Sequence, residues 1–192
     1  VVPKAVDEYL SLIEKFPDQK EKEQLSNPVW HVHNGKPPKE KIVMSFSMLL
    51  NLVGSSNADG KEILWKFINR FYKNVNPKIN PILDNLTVYA IKFFRDKLKP
   101  KKIYKKPNIQ EKKALLNLAT KIEKIKENAL PEEIQTIVYS VGKENGYENN
   151  LRDWFKLIYQ VLFGDTDGPR MGFFINFFGV QETIQLIKDK TN

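Results

Sequence analysis

Apolar residues recur three and four positions apart along almost the whole chain, and this spacing constrains the fold more than any other feature. Such residues share one face of an α-helix, because a helix turns once every 3.6 residues. Most of the eleven prolines stand between these stripes or in first turns, where a missing amide costs nothing. The pattern predicts an all-α fold, a compact array of many helices with little or no strand. The predicted helices span residues 2–13, 46–53, 59–73, 82–98, 109–129, 131–144, 150–163, 169–178 and 181–188.

Two segments lack this pattern. A long polar stretch from Pro17 to Glu40 is predicted as an N-terminal loop, extended at Pro28 to His33. The segment from Lys97 to Lys106 holds six lysines around a proline, a composition that resists helix and favours an exposed, mobile connection. We expect one domain over 1–192. Its expected parts are a leading connection at 1–41, a basic helical part at 42–106 and a second helical part at 107–192.

Local signals predict how two of the helices begin. Asp59 and Asp167 are candidate N-caps, and Pro169 follows Asp167 as a first-turn residue. Gly172 is predicted to be a site of close helix approach. Arg170 would then lie in the first turn, where a cation opposes the helix dipole. It is therefore expected either to pair with a carboxylate such as Asp165 or Asp167, or to reach an RNA.

Size and composition exclude several classes of protein. With 192 residues and 41% hydrophobic content, the chain can bury a substantial core. It has no cysteine, which excludes disulfide scaffolds, thiolate zinc sites and cysteine nucleophiles. No apolar run approaches the roughly 20 residues of a membrane-spanning helix, so we expect a soluble, cytoplasmic protein. The chain begins at Val1 and not at methionine, which suggests part of a longer protein.

The positive charge of the chain is regional. The formal net charge is +8, yet residues 61–106 alone hold thirteen Lys and Arg against three acidic residues, a local balance of +10. The rest of the chain therefore carries −2. A concentrated positive region attracts polyanions, because neutralised phosphates release their condensed counterions. The alternative is a solvated lysine face without a nucleic-acid partner.

Patterns for catalysis and for metal or cofactor binding are incomplete. The stretch "GSSNADGK" at 54–61 has one residue too many for a phosphate-binding loop, and Glu62 stands where a Ser or Thr would hold magnesium. His31 and His33 are the only histidines and lack a spaced third ligand, so a loop position is favoured over a metal site. We therefore predict no catalytic, cofactor or metal site in this chain, and binding is the better hypothesis.

The predicted helix 59–73 carries the best candidate surface. Lys66, Asn69, Arg70 and Lys73 form a polar strip opposite its apolar arc, with Trp65 at the border. A basic strip edged by aromatic rings suits unpaired RNA, whose phosphates meet lysine and whose bases meet ring faces. The alternative is that Trp65 simply widens the core contact. Arg152 occupies a similar polar face on the helix 150–163.

Five longer blocks of the sequence are distinctive, namely "SFSMLLNLV" (45–53), "LWKFINRF" (64–71), "NPILDNLTVYAIKFFRD" (80–96), "IVYSVGKENGYENNLRDWFKLIYQVLFG" (137–164) and "GPRMGFF" (168–174). These blocks resemble the C-terminal part of a known family, the class I lysyl-tRNA synthetases. The resemblance covers nearly the whole chain, in order, and implies an α-helix cage that binds the anticodon region of tRNA.

The resemblance also implies what the full-length protein would do. It would activate lysine with ATP and magnesium and transfer it to lysine tRNA, with a nucleotide-binding catalytic domain upstream of Val1 as this chain's partner. This chain alone is expected to be inactive, and a monomer is favoured. The alternatives are a helical protein-protein interaction module without nucleic-acid binding and a stand-alone enzyme.

The candidate contacts are chosen by their chemistry, since the resemblance transfers no base-by-base contact to this sequence. The base-contact candidates are Trp65, Arg70, Arg152 and Arg170, and the phosphate candidates are Lys66, Lys73, Lys99, Lys101, Lys102, Lys105 and Lys106.

Overall fold

The computed structural model describes residues 2–126 and 128–192, which divide into two units. Unit 1 comprises the residues up to Val53 together with Ala58–Phe94, and unit 2 comprises Gly54–Asn57 together with Arg95–Asn192. Across the described residues there are eleven α-helices and no strand, which confirms the predicted all-α fold class. None of the described helices is both long and apolar enough to cross a membrane.

The helices that begin in unit 1 are α1 (Val2–Lys15), α2 (Glu21–Ser26), α3 (Pro28–Val32), α4 (Phe46–Ser56), α5 (Lys61–Phe71) and α6 (Pro81–Phe93). Two of them lie where a polar loop was predicted, so the extended conformation expected at Pro28 to His33 is wrong. The side chain of Asn27 accepts a hydrogen bond from the Val29 amide at 3.0 Å, and Pro28 occupies the first helical turn. These are strong local start signals that outweigh the weak apolar pattern of this segment.

Carboxylates from distant parts of the chain cap two helices of unit 1. Asp7 on α1 accepts hydrogen bonds from the amides of Phe46 and Ser47 at the start of α4, the first at 2.6 Å. Glu40 accepts from the amides of Ile82 at 2.6 Å and Leu83 at 3.0 Å at the start of α6. A carboxylate there satisfies unpaired amides and complements the helix dipole. Each contact therefore joins an acidic residue from an earlier part of the chain to the start of a later helix.

The N-terminus of α5 differs from its prediction. Its N-cap residue is Gly60, and no side chain caps it, so the assignment of this role to Asp59 is wrong. The carboxylate of Glu62 lies over Gly60, where a Cβ would meet Glu62 Oε2 at 2.6 Å. An acidic group in the first turn provides part of the stabilisation that a capping side chain would give.

Unit 2 contains the five helices α7 (Ile109–Glu123), α8 (Pro131–Gly142), α9 (Leu151–Leu162), α10 (Met171–Phe178) and α11 (Val180–Thr191). Helix α8 packs against α10 and α7, while α11 packs against α7, α9 and α10. The apolar faces that these contacts bury include the completely covered rings of Trp154, Phe174 and Phe177. The predicted stripes of all five helices therefore face the core of this unit.

The predicted close approach at Gly172 is confirmed, and it joins α10 to α8. A Cβ on Gly172 would lie 2.7 Å from Gln135 Cβ and would also clash with the carbonyl oxygen of Pro131. The Gly172 amide donates to the buried Gln135 Oε1 at 2.7 Å. Only a residue without a side chain allows the two helices to come this close.

The same contact explains why the predicted cap of α10 is wrong. The helix begins at Met171 with Arg170 as its N-cap residue, so Asp167 does not cap it and Pro169 lies outside its first turn. The Gly172 amide lies in the first turn of α10, where helix amides have no partner within the helix. It donates to Gln135 of α8 and not to a capping side chain. A tertiary acceptor has replaced the local one.

The lysine-rich segment is more structured than its composition predicts. A π-helical turn spans Phe94–Leu98 and a 3₁₀ turn spans Lys99–Lys101, so the expectation that this segment resists helix is wrong for residues 97–101. Residues 102–106 have no helical structure, as expected. The Lys105 amide donates to the Gln160 carbonyl of α9 at 3.0 Å. Backbone bonding thus fixes the segment on unit 2 despite its charge.

We predict that Gly172→Ala lowers the free energy of unfolding by about 1–3 kcal/mol, because the added methyl group overpacks the contact between α8 and α10. Chemical denaturation followed by circular dichroism measures this change. Ser140→Ala on the exposed side of α8 is the control and should change stability by less than about 0.5 kcal/mol. Equal stability of the two variants would show that the helices separate to accommodate the methyl group.

Candidate nucleic-acid interface

The exposed side of α5 displays the basic strip in unit 1. Lys66 and Arg70 are exposed on the helix, and Lys73 is exposed just beyond its end. The Arg70 guanidinium carbon lies 5.1 Å from the centroid of the Phe67 ring, a cation-π distance that orients the side chain. Helical spacing therefore places these three predicted cations along one side of unit 1.

Trp65 belongs to the core of unit 1 and not to this strip. Its side chain is 6% exposed, and Nε1 donates to Asp84 Oδ1 at 2.9 Å. The same carboxylate accepts from Lys61 Nζ at 2.8 Å. The indole ring has no open face for a base, which favours the alternative that Trp65 widens the core contact. Trp65 is therefore not proposed as a base contact.

The lysines of the segment 97–106 divide into two groups in unit 2. Lys102 has a side chain that is 9% exposed and forms an ion pair with Asp165. Lys105 Nζ lies 2.6 Å from Glu111 Oε1. By contrast, Lys99, Lys101 and Lys106 are exposed and make no ion pair with any described residue. The second group can bind phosphate without first breaking an internal bond.

The Lys105 contact changes the acidity of its partner. Burial acts to raise the pKa of the Glu111 carboxyl, but the bonds from Lys105 and from the Asn108 amide outweigh it, so the pKa is lowered. Glu111 and Asn108 together cap the N-terminus of α7. The Glu111 carboxylate accepts from the Asn108 amide at 3.0 Å, and the Asn108 side chain accepts from the Glu111 amide at 2.9 Å. Lys105 therefore helps to hold the start of α7.

A cation-π pair beside this segment was not predicted. Lys190 Nζ, in the last turn of α11, lies 3.5 Å from the centroid of the Tyr104 ring. Burial lowers the pKa of Lys190, while burial and the charge of Asp165 raise the pKa of the Tyr104 hydroxyl. The only sign of this pair in the sequence was a tyrosine among lysines in "KIYKK". Nothing in the sequence pattern linked this tyrosine to the C-terminal helix.

The two predicted arginines of unit 2 differ in their surroundings. Arg152 is exposed on α9 and has no ion pair within the described part of the chain. Arg170 has a side chain that is 61% exposed, and its Nη1 lies 3.8 Å from Glu132 Oε1 on α8. Arg170 thus pairs with a carboxylate, as one of the two expectations had it, but the partner is Glu132 and not Asp165 or Asp167. Asp165 is bonded to Lys102. An exposed pair at this distance is weak and leaves the guanidinium accessible.

The two histidines form separate contacts. His33 Nε2 lies 2.7 Å from Tyr9 Oη, and His31 Nε2 lies 2.7 Å from the Leu25 carbonyl oxygen. Over residues 2–126 and 128–192 no three His, Asp or Glu side chains come together as a metal-binding group.

An open pocket of about 380 Å³ in unit 2 has the acidic residue Glu133 in its lining. The Glu133 carboxylate accepts a hydrogen bond from the Leu130 amide at 2.7 Å and so caps α8. The pocket is lined by Ile125, Lys126, Asn128, Ala129, Glu133 and Ile137.

The chain is similar to curated proteins of one class, the aminoacyl-tRNA ligases. The relatives found are named lysine-tRNA ligase. That of Roseobacter denitrificans is 42% identical over 187 residues, which cover 97% of this chain and 35% of the relative. Those of Rickettsia bellii and Rickettsia felis are 39% and 38% identical over 192 residues, or 99% of this chain and 37% and 36% of the relatives.

The similarity is thus nearly complete along this chain and partial along the relatives. The chain spans about a third of the length of the curated relatives it matches, so the similarity is confined to one region of each relative. No family model matches the chain.

We predict that Lys102→Ala lowers the free energy of unfolding by about 1–3 kcal/mol, because it removes a charged hydrogen bond that fixes the lysine-rich segment. Its exposed neighbour is the matched control, and Lys101→Ala should change stability by less than about 0.5 kcal/mol. Urea denaturation of both variants measures the difference. Similar stabilities would show that Lys102 is as dispensable for folding as Lys101.

Proposed function

We propose that this chain is a tRNA-binding region of a lysine-tRNA ligase of class I and that it binds the anticodon part of lysine tRNA. The observation that carries the proposal is the similarity of almost the entire chain, at about 40% identity, to one region of proteins named lysine-tRNA ligase. The blocks quoted above support the assignment to class I and to the C-terminal part, and the all-helical fold agrees with the helix cage implied by that resemblance.

The distribution of charge supports a polyanionic partner. Unit 1 displays Lys66, Arg70 and Lys73 on one side of α5, and unit 2 displays Lys99, Lys101 and Lys106 on the lysine-rich segment. Contacts from such side chains to phosphates supply affinity and register without reading sequence. Base discrimination is then assigned to groups with directional donors, among which Arg70, Arg152 and Arg170 are exposed.

The activity of the whole protein is part of the proposal. We place ATP- and magnesium-dependent attachment of lysine to tRNA in a catalytic domain outside this chain. The chain itself would position the tRNA and would not catalyse aminoacylation when isolated. A cytoplasmic location follows from this role, since aminoacyl-tRNA is consumed in protein synthesis there, and binding as a monomer is expected.

The electrostatic contribution is tested by titrating the chain with lysine tRNA at increasing salt. The logarithm of the binding constant should fall linearly with the logarithm of the salt concentration. The double variant Lys101→Ala/Lys106→Ala should reduce the slope by about 2, roughly one for each lost phosphate contact. Lys22→Ala, an exposed lysine of α2, is the control and should leave the slope unchanged.

Two results of this titration would contradict the proposal or a part of it. Absent binding, or binding that is insensitive to salt, would contradict the tRNA-binding proposal. A slope unchanged by the double variant would remove the lysine-rich segment from the interface.

The anticodon assignment is tested at Arg170. We expect Arg170→Ala to weaken binding of a lysine anticodon stem-loop about tenfold, as for loss of a charged hydrogen bond, and that of a scrambled loop by less. Fluorescence anisotropy measures both affinities. Glu132→Ala removes the partner of Arg170 but keeps the arginine, so it should not reduce the preference for the lysine loop. Equal losses for the two loops would assign Arg170 a structural role.

A further inference from the structure

Four aromatic rings form a continuous row in unit 2, from the surface of α8 into the core. The centroids of Tyr139 and Phe155 are 5.1 Å apart with planes at 72°, and Phe155 lies 6.3 Å from Tyr159. Tyr159 then stacks on Phe163 at 6.2 Å and 25°. Tyr139 is 42% exposed, Phe155 and Tyr159 are half-buried, and Phe163 is buried. We call these four residues the aromatic row.

The inner part of the aromatic row is held firmly. The Tyr159 hydroxyl donates to the Pro169 carbonyl oxygen at 3.0 Å. Gly168 packs against the same ring, because a Cβ there would lie 2.6 Å from Tyr159 Cδ1. Burial, and to a lesser extent Tyr139 and Asp167, raise the pKa of Tyr159, so its hydroxyl remains a neutral donor. The ring of Tyr159, which Phe155 contacts, is therefore held in one position.

Three cations flank the aromatic row. Lys143 follows Tyr139 by one turn, and Arg152 precedes Phe155 by one turn on α9, so each shares a face with its ring. Both are exposed and make no ion pair within the described residues. Arg170 follows Pro169, the residue that accepts the Tyr159 bond.

The nearest acidic residues along the chain are already engaged. Glu144 lies 3.1 Å from Lys121 of α7, and Asp153 accepts from the Asn150 side chain at 2.7 Å. Glu132 is the partner of Arg170. The Asn150 bond leaves the negative charge of Asp153 in place, but neither Lys143 nor Arg152 forms an ion pair with these acids.

An exposed and a half-buried ring beside cations that make no ion pair match the chemistry of an unpaired nucleotide. A base stacks on an aromatic ring, and its flanking phosphates bind the cations. A single exposed tyrosine needs no explanation, but a supported row flanked by cations differs from a scattered surface residue. An apolar protein partner would leave these charges unpaired at the contact.

We propose that the aromatic row is a stacking site for an unpaired nucleobase, with Tyr139 and Phe155 as the stacking rings and Lys143 and Arg152 as contacts to the adjoining phosphates. In this site Arg152 contacts a phosphate, in place of the base contact proposed for it above. The proposal rests on the proposed tRNA-binding function and adds two aromatic residues and a lysine to its interface. The ligand class is a single-stranded loop of RNA, whose bases are open to stacking.

The test compares binding of a lysine anticodon stem-loop to three tyrosine variants of the full chain. Tyr139→Ala removes the ring and should weaken binding about five- to hundredfold, whereas Tyr139→Phe keeps the ring and should bind within about twofold of the parent. Tyr89→Ala is the matched control, because Tyr89 is 61% exposed on α6 of unit 1, and it should not weaken binding. Circular dichroism confirms that each variant is folded.

A second RNA separates stacking from a general loss of affinity. With the loop bases replaced by abasic sites, the parent and Tyr139→Ala should bind equally, because no base remains to stack. The salt slope should be unchanged in Tyr139→Ala but should fall by about one in Arg152→Ala and in Lys143→Ala.

The outcomes distinguish the two proposals. If the parent chain binds the intact stem-loop and Tyr139→Ala binds equally well, the stacking site is overturned while tRNA binding stands. A loss in Tyr139→Ala that persists with the abasic loop, or that Tyr89→Ala reproduces, also overturns it. Absent binding of the parent to both stem-loop and tRNA overturns both.

Discussion

The contact between Gly172 and Gln135 is the constraint on which most of the candidate surface in unit 2 depends. Because Gly172 has no side chain, the start of α10 lies against α8, and Gln135 satisfies the amide that a local cap would otherwise bond. The residues just before α10 are thereby placed beside α8 and α9. Arg170 reaches Glu132, and the Pro169 carbonyl reaches Tyr159. One steric requirement in the core thus positions an arginine at the surface and helps to hold the half-buried ring of Tyr159.

The lysines show how one residue type serves two purposes within a short segment. Lys102 and Lys105 are bonded to Asp165 and Glu111, and together with the Lys105 backbone bond they attach the segment to unit 2. Their exposed neighbours keep their charge for a partner. The ion pairs hold the backbone of the segment, so its exposed lysines have fixed attachment points. Binding then costs less conformational entropy of the segment. The proposed phosphate contacts therefore depend on lysines that do not themselves reach the RNA.

The fold was largely predictable from the sequence, while the site was predictable only in part. Helical spacing located every long helix because each must bury one apolar face, and it also placed Lys66 and Arg70 on the outside of α5. The same pattern could not decide whether Trp65, at the border of the stripe, faced the core or the solvent, and its bond to Asp84 draws it inward. The short helices α2 and α3 escaped detection, because their start signals are local side-chain bonds and their apolar stripes are short.

The sequence by itself determined the helical class, the regional positive charge and the similarity to lysine-tRNA ligases. These properties depend on residue identity and on spacing within one element, which are local. Only the tertiary structure decided which acid pairs with Arg170, which lysines are engaged, and that Tyr139, Phe155 and Tyr159 form one row. Those facts join residues from different helices, and their packing depends on steric fits such as that of Gly172 against Pro131 and Gln135. Periodicity along the chain carries no information about such fits.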